Sequence, residues 1–340
     1  KMKRRKLLNN LGVLSLLNFG SHLTSVLYAQ ENFLAGTPIA NIRLPHLTED
    51  KNAPIVFYSP IVSSEAILKL LEASQYKVSG KVGIKMTFSN VRDSAVKIDP
   101  MLIKPLIENV KGTMIDGNYF DGARSNTQAH LATARANGFD KAGPIDILDS
   151  EGEIALPVKG GYHLKTFITG AKLADYDSLI SVVRFKGHNL PRYGGSMKNL
   201  SICLGTPKGA AQIHSGGKIA DYFSSAGEKV TSESMADAVK AALDFKPGKW
   251  IFFNIIDLLE PQRRDACDGA KNIGDIGILL STDPIACDQA AVDIVYGFAP
   301  DEQTRRQWEQ EHFVESLEMA EKIGVGATHY RLQVVRNFMQ

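Results

Sequence analysis

Short, strongly apolar runs alternate with amphipathic stretches along most of this chain, and that alternation narrows the folds open to it more than any other feature. Residues 54–58, 81–86, 113–116, 144–148, 179–183, 250–256 and 276–280 read as strands. The runs at 179–183, 250–256 and 276–280 are apolar almost throughout, as strands covered on both faces must be. Helical patterns occupy 63–73, 127–137, 234–243, 284–296 and 304–323. The punctuation agrees. Asp99-Pro100 sets a side-chain cap before a proline at the first helical position, Gly138 closes the helix at 127–137, and Asp283-Pro284 opens another. Residues 151–172 read as a hairpin and the Gly- and Pro-rich stretch 187–196 as a loop. Strand and helix alternating in this way predict an α/β protein, its mostly parallel or mixed sheet flanked by helices on both faces.

The 340 residues suffice for a sizeable core, and 44% hydrophobic with 22% charged residues is ordinary globular composition. Formal net charge is +2, but the excess is local. Residues 1–29 hold five of the 39 basic residues (Lys1, Lys3, Arg4, Arg5 and Lys6) and no acid, leaving 34 basic against 37 acidic residues. A body of that balance is a poor partner for nucleic acid. The basic cluster, the apolar stretch from Leu7 to Leu17 and the small residue Ala29 form the pattern of an export signal cleaved after Ala29. Arg4-Arg5 within a weakly apolar segment, interrupted by Asn9, Asn10, Asn18 and Ser21, suits the twin-arginine route. The expected organisation is a signal at 1–29, an irregular arm at 30–53 and one α/β domain at 54–335. The destination is the periplasm or another exported compartment. No later stretch is long and apolar enough to span a bilayer, so no stable span is expected once the signal is removed.

In open α/β sheets ligands bind beyond the carboxyl ends of the strands, so the residues that follow each predicted strand are the candidates. Lys85 ends the second strand. Asn118, Asp121 and Arg124 follow the third, and Asp149 the fourth. Arg184, Lys186 and His188 follow the fifth, with Lys198 and Asn199 closing the same loop. Asp257 and Cys267 follow the strand at 250–256, and Ser281 and Asp283 follow the last. Two chemistries suit them. Lys85, Asn118, Arg124 and Asn199 could hold a small carboxylate or phosphate, with Arg124 able to grip it bidentately. His188, His214 and Cys267 could bind a transition metal. Lys186, His188 and Lys198 are the candidates for catalysis, and a metal could activate a bound anion. The bland alternatives are solvated loop charges for the lysines and arginine, a helix cap for Asp283, and packing roles for Cys203 and Cys287. Dinucleotide, P-loop, zincin, nucleophile-elbow and EF-hand motifs are absent, which disfavours those classes. Three cysteines at wide spacing, none in a CxxC pair, make neither a disulfide framework nor a self-contained ferredoxin motif.

Several of these pieces, taken in order, resemble the family catalogued as domain of unknown function 362. They are Val82-Gly83-Ile84-Lys85, Gly122-Ala123-Arg124-Ser125-Asn126-Thr127, Arg184-Phe185-Lys186-Gly187-His188, Gly194-Gly195-Ser196-Met197-Lys198-Asn199, Gln212-Ile213-His214 and Ser281-Thr282-Asp283-Pro284-Ile285-Ala286-Cys287-Asp288-Gln289. The resemblance spans residues 52–335. It implies iron–sulfur redox company, because many members carry an inserted ferredoxin-like pair of cysteine motifs after the segment matching Gln212-Ile213-His214. Here Ser215-Gly216-Gly217-Lys218 runs on without cysteines, and Asp265-Ala266-Cys267 stands where members often show Cys-x-Cys. The implied cofactor is therefore a cluster shared with a redox partner. Three functions follow as expectations: a metal-assisted enzyme acting on a small anion, an iron–sulfur-associated redox protein, and a periplasmic anion-binding module.

Overall fold

The computed structural model describes residues 34–88, 98–120, 122–187, 193–218, 225–257, 274–311 and 314–336. Two compact units are delimited, residues 1–42 and residues 43–340. The described part of the first, 34–42, is mostly turn, with the Thr37 hydroxyl donating to Leu34 O at 2.7 Å.

The second unit is built on an eight-stranded sheet. Its strands are β1 (Ile55–Ser59), β2 (Val82–Lys85), β3 (Thr113–Asp116), β4 (Ile145–Ile147), β7 (Ser178–Arg184), β10 (Trp250–Ile256), β11 (Gly277–Ser281) and β12 (Arg331–Val334). They lie in the order β12-β1-β11-β10-β7-β2-β3-β4. A hairpin, β5 (Glu153–Pro157) with β6 (Thr166–Gly170), and a two-residue ladder, β8 (Lys186–Gly187) with β9 (Tyr193–Gly194), stand apart from it. The helices are α1 (Ser64–Ser74), α2 (Pro100–Val110), α3 (Thr127–Ala136), α4 (Ser196–Leu200), α5 (Pro207–Ser215), α6 (Glu228–Phe245), α7 (Pro284–Tyr296), α8 (Glu302–Glu311) and α9 (Ser316–Lys322).

Caps set the helix starts, at Asp99 and Asp283 as the sequence predicts and at Ser63 and Asn126 besides. Ser63, Asp99, Asn126 and Asp283 accept hydrogen bonds from the first-turn amides of α1, α2, α3 and α7. On one sheet face Ile84, Met114, Ile180, Val182, Phe253 and Ile278 pack with Ile67, Leu70, Ile103 and Leu106 from α1 and α2. Each such fully buried side chain contributes about 1.5–3 kcal/mol by leaving water. The opposite face carries Lys85, Ser181, Phe252 and Asn254 and is covered by α4 and α7. The sheet is thus mixed, with helices on both faces.

Four expectations need correction. Strand β11 runs antiparallel to both of its neighbours, β1 and β10, whereas β2, β3, β4, β7 and β10 are mutually parallel. Ser281 and Asp283 therefore lie at the opposite edge of the sheet from the other strand-end residues. A strand buried on both faces is apolar throughout whichever way it runs, so its direction leaves no mark on the pattern. The helix expected over 304–323 is two helices, α8 and α9, and the loop expected over 187–196 contains the β8–β9 ladder. Short elements were also missed: α4, α5 and β12 have too few residues for a period to register.

Candidate functional site

The carboxyl ends of β2, β3, β4 and β7 lie at one edge, and polar bonds tie Lys85 at the end of β2 to Asp116 at the end of β3. Lys85 is completely buried and its ammonium is saturated. Nζ donates to Met86 O at 3.2 Å, Asp116 Oδ1 at 3.0 Å and Asn199 Oδ1 at 3.0 Å, which uses all three of its hydrogens. Asp116 ends β3 beside it. Its carboxylate also accepts from Gly117 N at 3.0 Å and Phe88 N at 3.1 Å, and His130 Nε2 from α3 stands 3.3 Å from its other oxygen. Burial alone would raise this carboxyl, but Lys85 and His130, with Arg124 behind them, hold it well below the usual carboxylate range.

Asn118 is fixed one step further out. Its amide N–H donates to Asp149 Oδ1 at 2.9 Å, Nδ2 donates to Thr127 Oγ1 at 3.3 Å, and Oδ1 lies 3.3 Å from His130 Nδ1. Arg124 is half-buried, its guanidinium 5.1 Å from the centre of the Tyr119 ring. Asn199 bridges two strands from above: Nδ2 donates to Ser181 Oγ on β7 at 2.8 Å and to Lys85 O on β2 at 3.2 Å. Helix α4 is thereby pinned over the strand ends, and it carries Lys198, half-buried, one residue before Asn199.

Lys198 also reaches α5. His214, in the last turn of α5, is buried, and burial first, then the Lys198 charge, pushes its imidazole down to about 4. It is neutral at pH 7, the form that can accept a proton or ligate a metal. Lys186 lies across the same module, with its Cγ 3.5 Å from where a Cβ on Gly194 would stand. At the far side of β7 the Arg184 guanidinium donates to Asp257 Oδ1 at 2.6 Å. Burial raises the Asp257 carboxyl, against the pull of Arg184.

The first turn of α4 is held from outside. Gly195 precedes it and offers no side chain, and Asp288 from α7 takes the amides instead: Ser196 N at 2.7 Å and Met197 N at 2.9 Å. Asn254 of β10 donates to the same carboxylate at 2.8 Å and accepts from Ser196 Oγ at 3.0 Å. A Cβ at Gly195 would stand 2.5 Å from Asp288 Oδ1, so only glycine admits this approach.

Hydrogen bonds and charge interactions link Lys85, Asn118, Arg124, Lys198, Asn199 and His214, and Lys186 lies on β8 opposite Gly194. His188 and Cys267, with Asp121, lie outside the described residues. Among the described residues no group of three or more His, Cys, Asp or Glu could hold a metal ion. Asp116, His130, Ser181, Asn254 and Asp288 are the participants that sequence reasoning missed. Asp116 gave the same signal as Lys85, a charged residue closing an apolar strand. His130 and Asn254 gave none, being single polar residues within helical or strand patterns, and Asp288 stood out only as part of the resemblance segment 281–289.

A family model described as Domain of unknown function (DUF362) matches residues 82–293. No curated protein matches the chain. Among solved structures it is similar to the lactate racemase apoprotein from Thermoanaerobacterium thermosaccharolyticum, at a TM-score of 0.39 and 13% identity over 66% of this chain and 57% of that one. It is also similar to a protein from Thermotoga maritima, at a TM-score of 0.40 and 10% identity over 76% of this chain and 58% of that one. The chain thus spans less than two thirds of either. No helix among the described residues is long and apolar enough to cross a membrane.

Proposed function

The chain belongs to the DUF362 family, whose description names no reaction, and from that starting point we propose that it is an exported protein that takes a small anion at the carboxyl edge of its sheet. One observation carries the reading. Asn199 fastens α4 to β2 and β7, so Lys198 stands over the strand ends to which Arg124 also contributes its charge. Lys186 adds a third cation to the module. Carboxylate and phosphate are the classes that suit them, Arg124 as a planar fork and the lysines as point charges. Neutral His214 beside Lys198 supports acid–base or metal-assisted chemistry on the bound anion. In the metal version His188 and Cys267 would complete the donor set. Lys85 serves differently: with its donors saturated, it supports Asn199 and Asp116 and does not face a ligand.

The iron–sulfur reading has less support. Cys287 is completely buried, its Sγ 3.6 Å from Phe252 O, and burial pushes its thiol well above the ordinary value. Such a thiol does not suit a cluster, and Cys203, half-buried, stands on a separate loop. Export through the twin-arginine route rests on Arg4-Arg5 and the weakly apolar stretch behind them.

Isothermal titration of the chain purified from its native host, against a panel of small carboxylates and phosphates, tests the reading. Saturable binding that weakens at least tenfold in Lys198→Ala and in Arg124→Ala is expected. No binding across the panel would sink it. Replacing Arg4 and Arg5 by lysine should leave the chain in the cytoplasm; unaltered export would remove the twin-arginine route.

A further inference from the structure

Helix α4 has five residues, too few to hold itself in water, since helix nucleation is unfavourable and short helices persist only through packing. Its own sequence does not cap it. The two leading amides, Ser196 N and Met197 N, go to Asp288, which comes from a helix more than 80 residues away in sequence. The carboxylate has no exposure to water, and the donors that reach it, among them two amides and Asn254 Nδ2, are neutral. Burying a charge in this way is costly, and a structural helix cap does not require it, because a neutral Ser or Asn caps as well.

What the arrangement secures is position. Met197 immediately precedes Lys198, and Asn199 is clamped by Lys85 and Ser181 on the other side. Lys198 is thus held between two fixed points, one in the β2–β7 layer and one on α7. We infer that Asp288 is the positioning residue of the anion site: through the first turn of α4 it sets where the Lys198 ammonium stands. This rests on the reading of Lys198 as an anion ligand. Burial lifts the Asp288 carboxyl up to about 6 while the Met197, Asn254 and Ser196 bonds pull it back, so it is ionised at neutral pH. Burial first, and then this charge, push up the Tyr193 hydroxyl and the Cys287 thiol.

Asp288→Asn is nearly isosteric, yet it must turn an NH2 either toward Met197 N or toward Ser196 N and Asn254 Nδ2, setting donor against donor. The test is the rate at which acetic anhydride acylates Lys198 in the intact chain without anion, read by mass spectrometry against Lys104 on α2. Hydrogen exchange at Ser196 and Met197 is read alongside. In folded Asp288→Asn the two amides should lose at least tenfold protection and the Lys198 rate should rise at least threefold. A Lys198 rate within 1.5-fold of wild type in the folded variant overturns the inference, because a purely structural role would leave the lysine unmoved. Should Asp288→Asn not fold, Asn254→Ala removes one donor to the same carboxylate. A rise in the Lys198 rate there supports the role and an unchanged rate overturns it. Protection of wild-type Lys198 by inorganic phosphate is scored separately: its absence counts against anion binding, while the unliganded rates still decide the role of Asp288.

Discussion

Lys85 and Lys198 are both lysines at the end of the sheet, and their surroundings give them opposite expected costs of removal. Lys85→Met leaves Asp116 buried with a cation removed, a loss of about 3–5 kcal/mol for a broken buried pair. Lys198→Met, half-buried on α4, should stay within about 0.5 kcal/mol. Urea unfolding of the two variants checks the contrast; equal losses would mean that Lys85 is not sealed. A second expectation concerns His214. Its imidazole should show no titration in NMR between pH 7 and pH 5.5, since burial and Lys198 push it down to about 4. Lys198→Met should raise the midpoint by less than half of the depression, because burial is the larger cause. No rise at all would separate the two residues. Sequence reasoning could find Lys85 and Asn118, because a polar residue at or just past the end of an apolar strand stands out against the run before it, and Lys198 and Asn199, because they close the Gly-rich loop after the fifth strand. It could not find that Lys85 and Asn199 bond each other, because which loops meet depends on strand order. Asp288 and His130 sit on helices whose periodicity gives a polar residue at their positions no special meaning.

Among the elements, β3 at 113–116 and α7 at 284–296 coincide with expectation, α6, expected over 234–243, begins at Glu228, and the caps Asp99 and Asp283 act as their spacing suggests. Direction was not legible. The reversal of β11 moves Asp283 to the far edge, where it caps α7 and also accepts from Ala327 N at 3.0 Å. The reversed strand enters the sheet at a constrained point. Gly277 has φ 141° and a Cβ there would stand 2.0 Å from Ser59 O of β1. An alanine meets both a disfavoured backbone region and the neighbouring strand. Gly277→Ala should therefore lose at least about 1–3 kcal/mol, read as a lower midpoint of thermal unfolding. A midpoint unchanged within error would mean that β11 is not seated against β1 as described.

At the scale of the whole molecule the buried carboxylates make stability depend on pH in a definite sense. Asp283 and Asp288 are both lifted to about 6, in each case chiefly by burial, against about 3.9 for an unfolded aspartate. A folded state that holds protons more tightly is favoured in acid, so this contribution is present at low pH and lost as pH rises from about 4 through 6. Between pH 5 and pH 8 each group should withdraw about 1 kcal/mol. His46 acts in the same sense. Burial would lower its imidazole, but the hydrogen bond to Asp293 Oδ1 at 2.8 Å and the Asp293 charge raise it overall, so its support is complete below about 6.5 and disappears as pH rises through its folded value. Asp116 runs the other way, but its depressed carboxyl matters only below about pH 4, where protonating it removes the partner of Lys85. Asp283, Asp288 and His46 thus favour mild acid and Asp116 is silent in that window, while His214, lowered to about 4, opposes them as pH falls from about 7 to 5. With that opposition removed in His214→Gln, the thermal midpoint should be several degrees higher at pH 5 than at pH 8. Asp283→Asn and His46→Ala should each shrink that difference, whatever their effect at a single pH, and a difference that survives both variants intact would show that these groups do not govern it.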